Sequence, residues 1–217
     1  MIVRNLLVIL LCIGFWATSV NGQLKTTETE DVDIIYTSPL HKYLLPQLLS
    51  TFTNSYNFHR NLFGYTPTEN ISILMQDFGD FGHGGADALP KNNVNIGIGP
   101  FNYVYETMPA SERMNWLMHH ELTHIVTTDM PNKRDRFWRG LFRGKVSTSI
   151  DDPLSIMYSY LTNPRRYAPR WYHEGSAVFM ESWMANTKGR VFGAYDEMAF
   201  RTKVRDNAII YDIVGLE

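Results

Sequence analysis

The sequence predicts an α+β fold: a small mixed β-sheet packed on a motif-bearing helix, followed by a mostly helical C-terminal part. Three observations predict it. Residues 31–76 read in turn as strand, helix and strand, the pattern of a mixed α/β layer. An apolar-striped helix following Pro109 carries His120-Glu121-Leu122-Thr123-His124, an H-E-x-x-H pattern. A further helical stretch, residues 171–185, places another carboxylate, Glu174, in its first turns.

The chain opens with a targeting segment, residues 1–22. Arg4 supplies the positive region, Leu6 to Trp16 is an apolar run of eleven residues, and Ala17 to Gly22 is small and polar enough for cleavage before Gln23. The run is shorter than an ordinary membrane span, so no stable span is expected after cleavage; the alternative is an uncleaved anchor. This places the protein outside the cytoplasm, secreted or periplasmic. Cys12, the single cysteine, lies inside the run after Leu11 and reads as part of the signal. The domain from 23 to 217 then has neither disulfides nor cysteine metal ligands. A formal net charge of −2 gives no sign of a nucleic-acid partner. The basic clusters at Lys133–Lys145 and Arg165-Arg166 read as solvated faces or loop contacts.

Along the mature chain, Gln23 to Glu30 is polar and expected to fray. Asp31 to Thr37 is β-branched and partly alternating, a strand ended by Ser38-Pro39. Leu44, Leu45, Leu48, Leu49, Phe52 and Tyr56 recur at helical intervals, with Pro46 as the start of the regular part. Gly64 to Pro67 is a turn, and Ile71 to Gln76 a second strand. Asp77 to Pro90 holds Gly79, Gly82, Gly84 and Gly85, and reads equally as a loop that approaches a ligand closely or as a mobile turn; His83 within it reads as a solvated loop histidine. Asn92 to Gly99 alternates as a half-exposed strand, either an ordinary sheet strand or an edge able to pair with an extended peptide.

Ser111 is the expected N-cap of the motif helix, with Glu112 in its first turn and an end near Asp129-Met130-Pro131. Its stripe is Met114, Leu117, Met118, Leu122, Ile125 and Val126. Four residues span one turn plus about 40°, so His120 and His124 project from one face. Two neutral imidazoles so placed can bind one Zn²⁺, with Glu121 beside the position of a metal-bound water. His119 points about 100° away and is not expected to be a ligand. Residues 132–169, basic and aromatic and then turn-rich, read as an irregular connection forming part of a cleft wall.

A catalytic zinc takes three protein ligands and keeps one position open. The best third candidate is Glu174, in Trp171-Tyr-His-Glu-Gly-Ser-Ala-Val-Phe-Met-Glu181. With both motifs in view the chain resembles the gluzincin metallopeptidases, the thermolysin-like and metallo-aminopeptidase group. Trp171, Glu174, Gly175, Ala177 and Glu181 match the second motif of the aminopeptidase branch, while His173 replaces its usual Asn. More narrowly, His-Glu-Leu-Thr-His-Ile-Val with Glu-Gly-x-Ala-Val-x-x-Glu is similar to secreted bacterial peptidase-like domains often followed by a β-propeller. The metzincin layout fails, because Thr127 and Met130 stand where it needs Gly and His.

The resemblance implies a zincin-like fold, peptide or protein substrates, and Zn²⁺ held by His120, His124 and Glu174. Glu121 would be general base and then acid in peptide hydrolysis by a zinc-activated water. Glu181 is either a partner of a ligand imidazole or an ordinary helix glutamate, and His173 a substrate contact. The family's usual oxyanion-stabilising Tyr or His has no clear counterpart: after Glu174 the chain offers Tyr195 and Tyr211. This suggests either a longer natural chain or a zinc-bearing binding or scaffold module without efficient catalysis.

Overall fold

The computed structural model describes residues 24–79, 82–99, 112–162, 168–184, 190–191 and 194–209. Five strands form one mixed sheet: β1 (Lys25–Glu28), β2 (Val32–Tyr36), β3 (Ile71–Gln76), β4 (Gly84–Asp87) and β5 (Asn93–Gly97), in the order β1-β2-β3-β5-β4. The pairs β2/β3 and β3/β5 are parallel, whereas β1/β2 and β4/β5 are antiparallel. Parallel neighbours need a crossover. The helix α1 (Leu45–Phe63) supplies it between β2 and β3, entered through a 3₁₀ turn over Pro39–Leu44 and closed by Gly64 in the left-handed region.

Alternation decides which side of the sheet is covered. Val32, Ile34 and Tyr36 in β2, Ile71, Ile73 and Met75 in β3, and Val94 and Ile96 in β5 all enter the core. Leu45, Leu48, Phe52 and Tyr56 of α1 meet them, together with Met114, Leu117, Met118, Leu122 and Ile125 of the motif helix α2 (Arg113–Asp129). The stripe of α2 thus enters the core, and the helix is covered all round: residues 116–123 are buried without a break and none of its residues is exposed. The Glu112 carboxylate caps it, accepting from the Met114 and Asn115 amides at 3.1 and 2.6 Å. The expected cap, Ser111, lies outside the described residues.

Four further helices complete the description: none of α3 (Lys133–Leu141), α4 (Pro153–Thr162), α5 (Arg170–Met184) or α6 (Ala194–Arg205) contributes to the sheet. Of these, α5 makes the most extensive contact with α2. No described helix is long and apolar enough to cross a membrane.

Two expectations are corrected. Residues 25–28, expected to fray, pair with β2. The irregular connection at 132–169 contains two helices; the first is fixed by a capping box in which Asn132 and Asp135 exchange side-chain and backbone hydrogen bonds of 2.8 and 3.0 Å. Of the two readings of Asn92 to Gly99, the ordinary sheet strand holds: Asn93–Gly97 lies between β3 and β4, and among the described residues the sheet edges are β1 and β4, the latter from inside the glycine-rich segment.

At the far end of α2, the buried Asp129 carboxylate gathers the Tyr65 hydroxyl (2.6 Å), the Asn92 amide (2.8 Å), Arg139 (2.9 Å) and Lys145 (3.2 Å). This network ties the helix end to β5 and α3, so the axis carrying the motif is held at both ends. On the side of α2 away from the motif, His119 packs against Phe58 and His59. Both ring nitrogens of the fully buried His59 lack hydrogen-bond partners among the described residues. Burial accordingly pushes its pKa down to about 3.

Between pH 6.5 and about 3 the unfolded chain therefore binds a proton at His59 that the folded chain refuses. Stability falls as pH falls through that window, at a slope on the order of 1 kcal/mol per pH unit from this residue. His59→Phe, which keeps the stack on Phe63, is expected to flatten that decline in denaturant titrations at successive pH values.

Candidate metal centre

The arrangement begins with one turn of α2. His120 and His124 stand one above the other with their Nε2 atoms 3.2 Å apart. From the facing helix α5, Glu174 Oε2 lies 3.5 Å from His120 Nε2 and 3.8 Å from His124 Nε2. Three electron-pair donors from two helices thus converge within 4.8 Å of one another, a group able to hold a metal ion. A tetrahedral ion with ligand bonds of roughly 2.0–2.1 Å separates its donors by about 3.3 Å, and the observed spacings bracket that value.

The tautomer of His120 follows from Glu181, seven positions after Glu174 on the same helix. Glu181 is fully buried, and its Oε2 lies 2.8 Å from His120 Nδ1. Burial alone would raise the Glu181 carboxyl. Hydrogen bonds from Arg190 and His120 outweigh it and hold the group below the usual carboxylate range. Glu181 is therefore the acceptor and Nδ1 carries a hydrogen, which leaves Nε2 as the atom directed at Glu174 and His124.

Arg190 completes this support. It donates through Nε to Glu181 Oε1 and through a terminal nitrogen to Oε2, both at 2.7 Å, and its guanidinium sits 6.0 Å from the centre of the Trp116 ring. The same terminal nitrogen is 3.1 Å from His120 Nδ1 because both groups donate to one oxygen. Sequence reasoning missed Arg190. It follows α5 rather than lying on it, and no periodic signal connects it to the motif.

Electrostatics favour positive charge at the point of convergence. Burial lowers both imidazole pKa values. At His120 the hydrogen bonds to Glu174 and Glu181 overcome that effect and raise it to about 9, whereas His124, buried beside His120, is pushed down to about 4. Glu174 is held down to about 2, first by its hydrogen bond to His120. Groups that tighten the hold on a proton at Nε2 also tighten the hold on a cation there, so metal binding would displace that proton.

Glu121 is a different kind of carboxylate. It is buried, its Oε2 has no hydrogen-bond partner among the described residues, and burial pushes its pKa up to about 7. It faces a cleft of about 440 Å³ lined by His120, Glu121, His124, Thr128, His173, Glu174 and all four residues of β4. Gly84 makes this closeness possible: a side chain there would collide with Glu121 and Leu117. The glycine-rich segment, read from the sequence as a loop, instead supplies β4, whose backbone comes close to side chains of α2.

The remaining candidates separate cleanly. His173 lines the cleft, beside Glu174. His119 turns away, as expected. His83, expected to be solvated, is half-buried against Gly97 and does not line the cleft. Tyr195 is half-exposed on α6 and does not line it either, and Tyr211 lies outside the described residues. No protein-family profile matches the chain, and neither does any curated protein or solved structure.

The support from Glu181 and Arg190 can be measured without any catalytic assay. Glu181→Gln is expected to weaken metal binding about 10- to 100-fold in a chelator competition. Arg190→Gln should weaken it less, since Glu181 keeps its bond to His120, and Arg190→Lys should recover part of the loss.

Proposed function

We propose that the chain is a secreted zinc-dependent metallopeptidase of the gluzincin type, with a zincin-like fold, that hydrolyses peptide bonds. One observation carries the reading: three convergent donors, a buried carboxylate with one oxygen unpaired, and a strand at the edge of the sheet among the described residues all line the same cleft. Two imidazoles and one carboxylate on two helices form the donor set of a catalytic zinc, with a fourth position left for water or substrate. When bound, zinc would supply Lewis acidity, polarising a carbonyl and making a neighbouring water more acidic.

The chain's own residues account for the rest of the reaction. Glu121, in the cleft lining, would accept a proton from the attacking water and return it to the leaving amine, and a carboxyl raised to about 7 suits both directions near neutral pH. The outer edge of β4 offers backbone groups with which an extended substrate can pair. Its small side chains at Gly84, Gly85 and Ala86 let such a strand approach the donors. His173, in the cleft beside Glu174, is the residue we assign to the developing negative charge on the substrate.

A second reading is favoured by one observation. Among the described residues lining the cleft there is no tyrosine, so His173 stands alone in that role. A zinc-holding domain that binds extended peptides without efficient hydrolysis fits the same geometry.

The two readings part on Glu121→Gln. We expect that variant to keep its zinc and to lose peptide cleavage by about 10²–10⁴-fold. The wild type should lose cleavage to a chelator and regain it with zinc. Full zinc occupancy with no turnover of a broad peptide library by the wild type would select the binding module.

A further inference from the structure

Helix α3, Lys133-Arg134-Asp135-Arg136-Phe137-Trp138-Arg139-Gly140-Leu141, inverts the usual arrangement of a surface helix. Its one acidic residue, Asp135, is 1% exposed, while Phe137 and Leu141 are 65% and 64% exposed. Positions 133, 134, 137 and 141 fall on one strip of a helix, so Lys133 and Arg134 flank the two apolar side chains.

The six basic residues between 133 and 145 divide into two groups. Arg139 and Lys145 turn inward to Asp129, and Lys145 also pairs with Glu69. Lys133, Arg134, Arg136 and Arg143 are exposed and make no ion pair among the described residues.

The neighbouring helix continues the apolar character. The Phe142 and Tyr158 rings meet at 5.0 Å where α3 and α4 pack together. Helix α4 has no charged residue, and Leu154, Met157 and Tyr160 stand exposed along its outer strip. Ile150, in the turn before it, is 94% exposed. Asp151 and Asp152 share that turn, and Asp152 is occupied in capping α4 through the Leu154 amide.

We propose that the outer faces of α3 and α4 form a peripheral docking surface for an anionic lipid bilayer, with Phe137 and Leu141 entering the headgroup region and Lys133, Arg134, Arg136 and Arg143 meeting lipid phosphates. Free cations interleaved with bulky apolar side chains on a helix strip are the signature of interfacial binding. Unpartnered apolar surface of this kind marks an interaction site. The charge argues against a second copy as the occupant, because a two-fold contact through this strip would bring two sets of four unpaired cations into one interface with no acidic partner on the helix face. The proposal is independent of the peptidase reading.

The test is co-sedimentation of the chain freed of residues 1–22, whose apolar run would bind any bilayer, with vesicles of phosphatidylcholine and phosphatidylglycerol, against vesicles of phosphatidylcholine alone. The expected result is partitioning to the anionic vesicles only, weakened by added salt. Lys133→Gln with Arg134→Gln should lower the apparent affinity on the order of tenfold or more. Phe137→Ser with Leu141→Ser, at unchanged charge, should also release the protein. Both double variants change exposed positions, so circular dichroism and metal content should match the wild type. Failure to partition overturns the proposal. So does binding that is indifferent to the Phe137 and Leu141 changes, which would instead indicate a purely electrostatic surface for an acidic protein.

Discussion

A buried carboxylate can stay charged only where hydrogen bonds replace the water it has lost, and Glu181 meets that condition through Arg190 and His120. This one group couples the two motif helices. Without Glu181 fixing Nδ1, His120 could present either nitrogen to the cleft. Glu181 lies on the same helix as Glu174, so one packing contact between α5 and α2 sets both the ligand and the orientation of its neighbour.

The contrast between the carboxylates then follows from their partners. Glu174 faces imidazoles and is held down, Glu181 faces a guanidinium and an imidazole and is held down, and Glu121 is buried with one oxygen unpaired and is pushed up. Three glutamates within one cluster thereby divide into one that faces the imidazole pair and could serve a metal ion, one that anchors a histidine, and one that is buried with an oxygen unpaired. The division comes from burial and hydrogen bonding, since the side chains are chemically identical. Close approach of β4 to α2 at Gly84 adds the remaining constraint, putting a strand edge within reach of the same point.

Much of this was legible in the residues because it is local. The i, i+4 spacing of His120 and His124, the apolar stripe from Met114 to Val126, and the alternation at Val32–Tyr36 and Ile71–Gln76 are short-range patterns that the fold obeys. What escaped is non-local. The position of β4 at the sheet edge depends on β5 inserting beside β3, a choice of strand order that no alternation encodes. Helix α3 was missed because its buried face is polar: Asp135 and Arg139 turn inward to the capping box and to Asp129, which reverses the pattern expected of a surface helix. Arg190 was missed because its importance lies wholly in what it touches.

The claim on which the rest depends is that His120, His124 and Glu174 hold a zinc ion. It is tested most directly by metal analysis and zinc X-ray absorption on protein purified without added metal. The account predicts one zinc per chain, bonded to two imidazole nitrogens and carboxylate oxygen at about 2.0–2.2 Å, and lost on Glu174→Ala. Protein that carries no stoichiometric metal and takes up none when zinc is supplied, or zinc whose ligands survive Glu174→Ala unchanged, would contradict it.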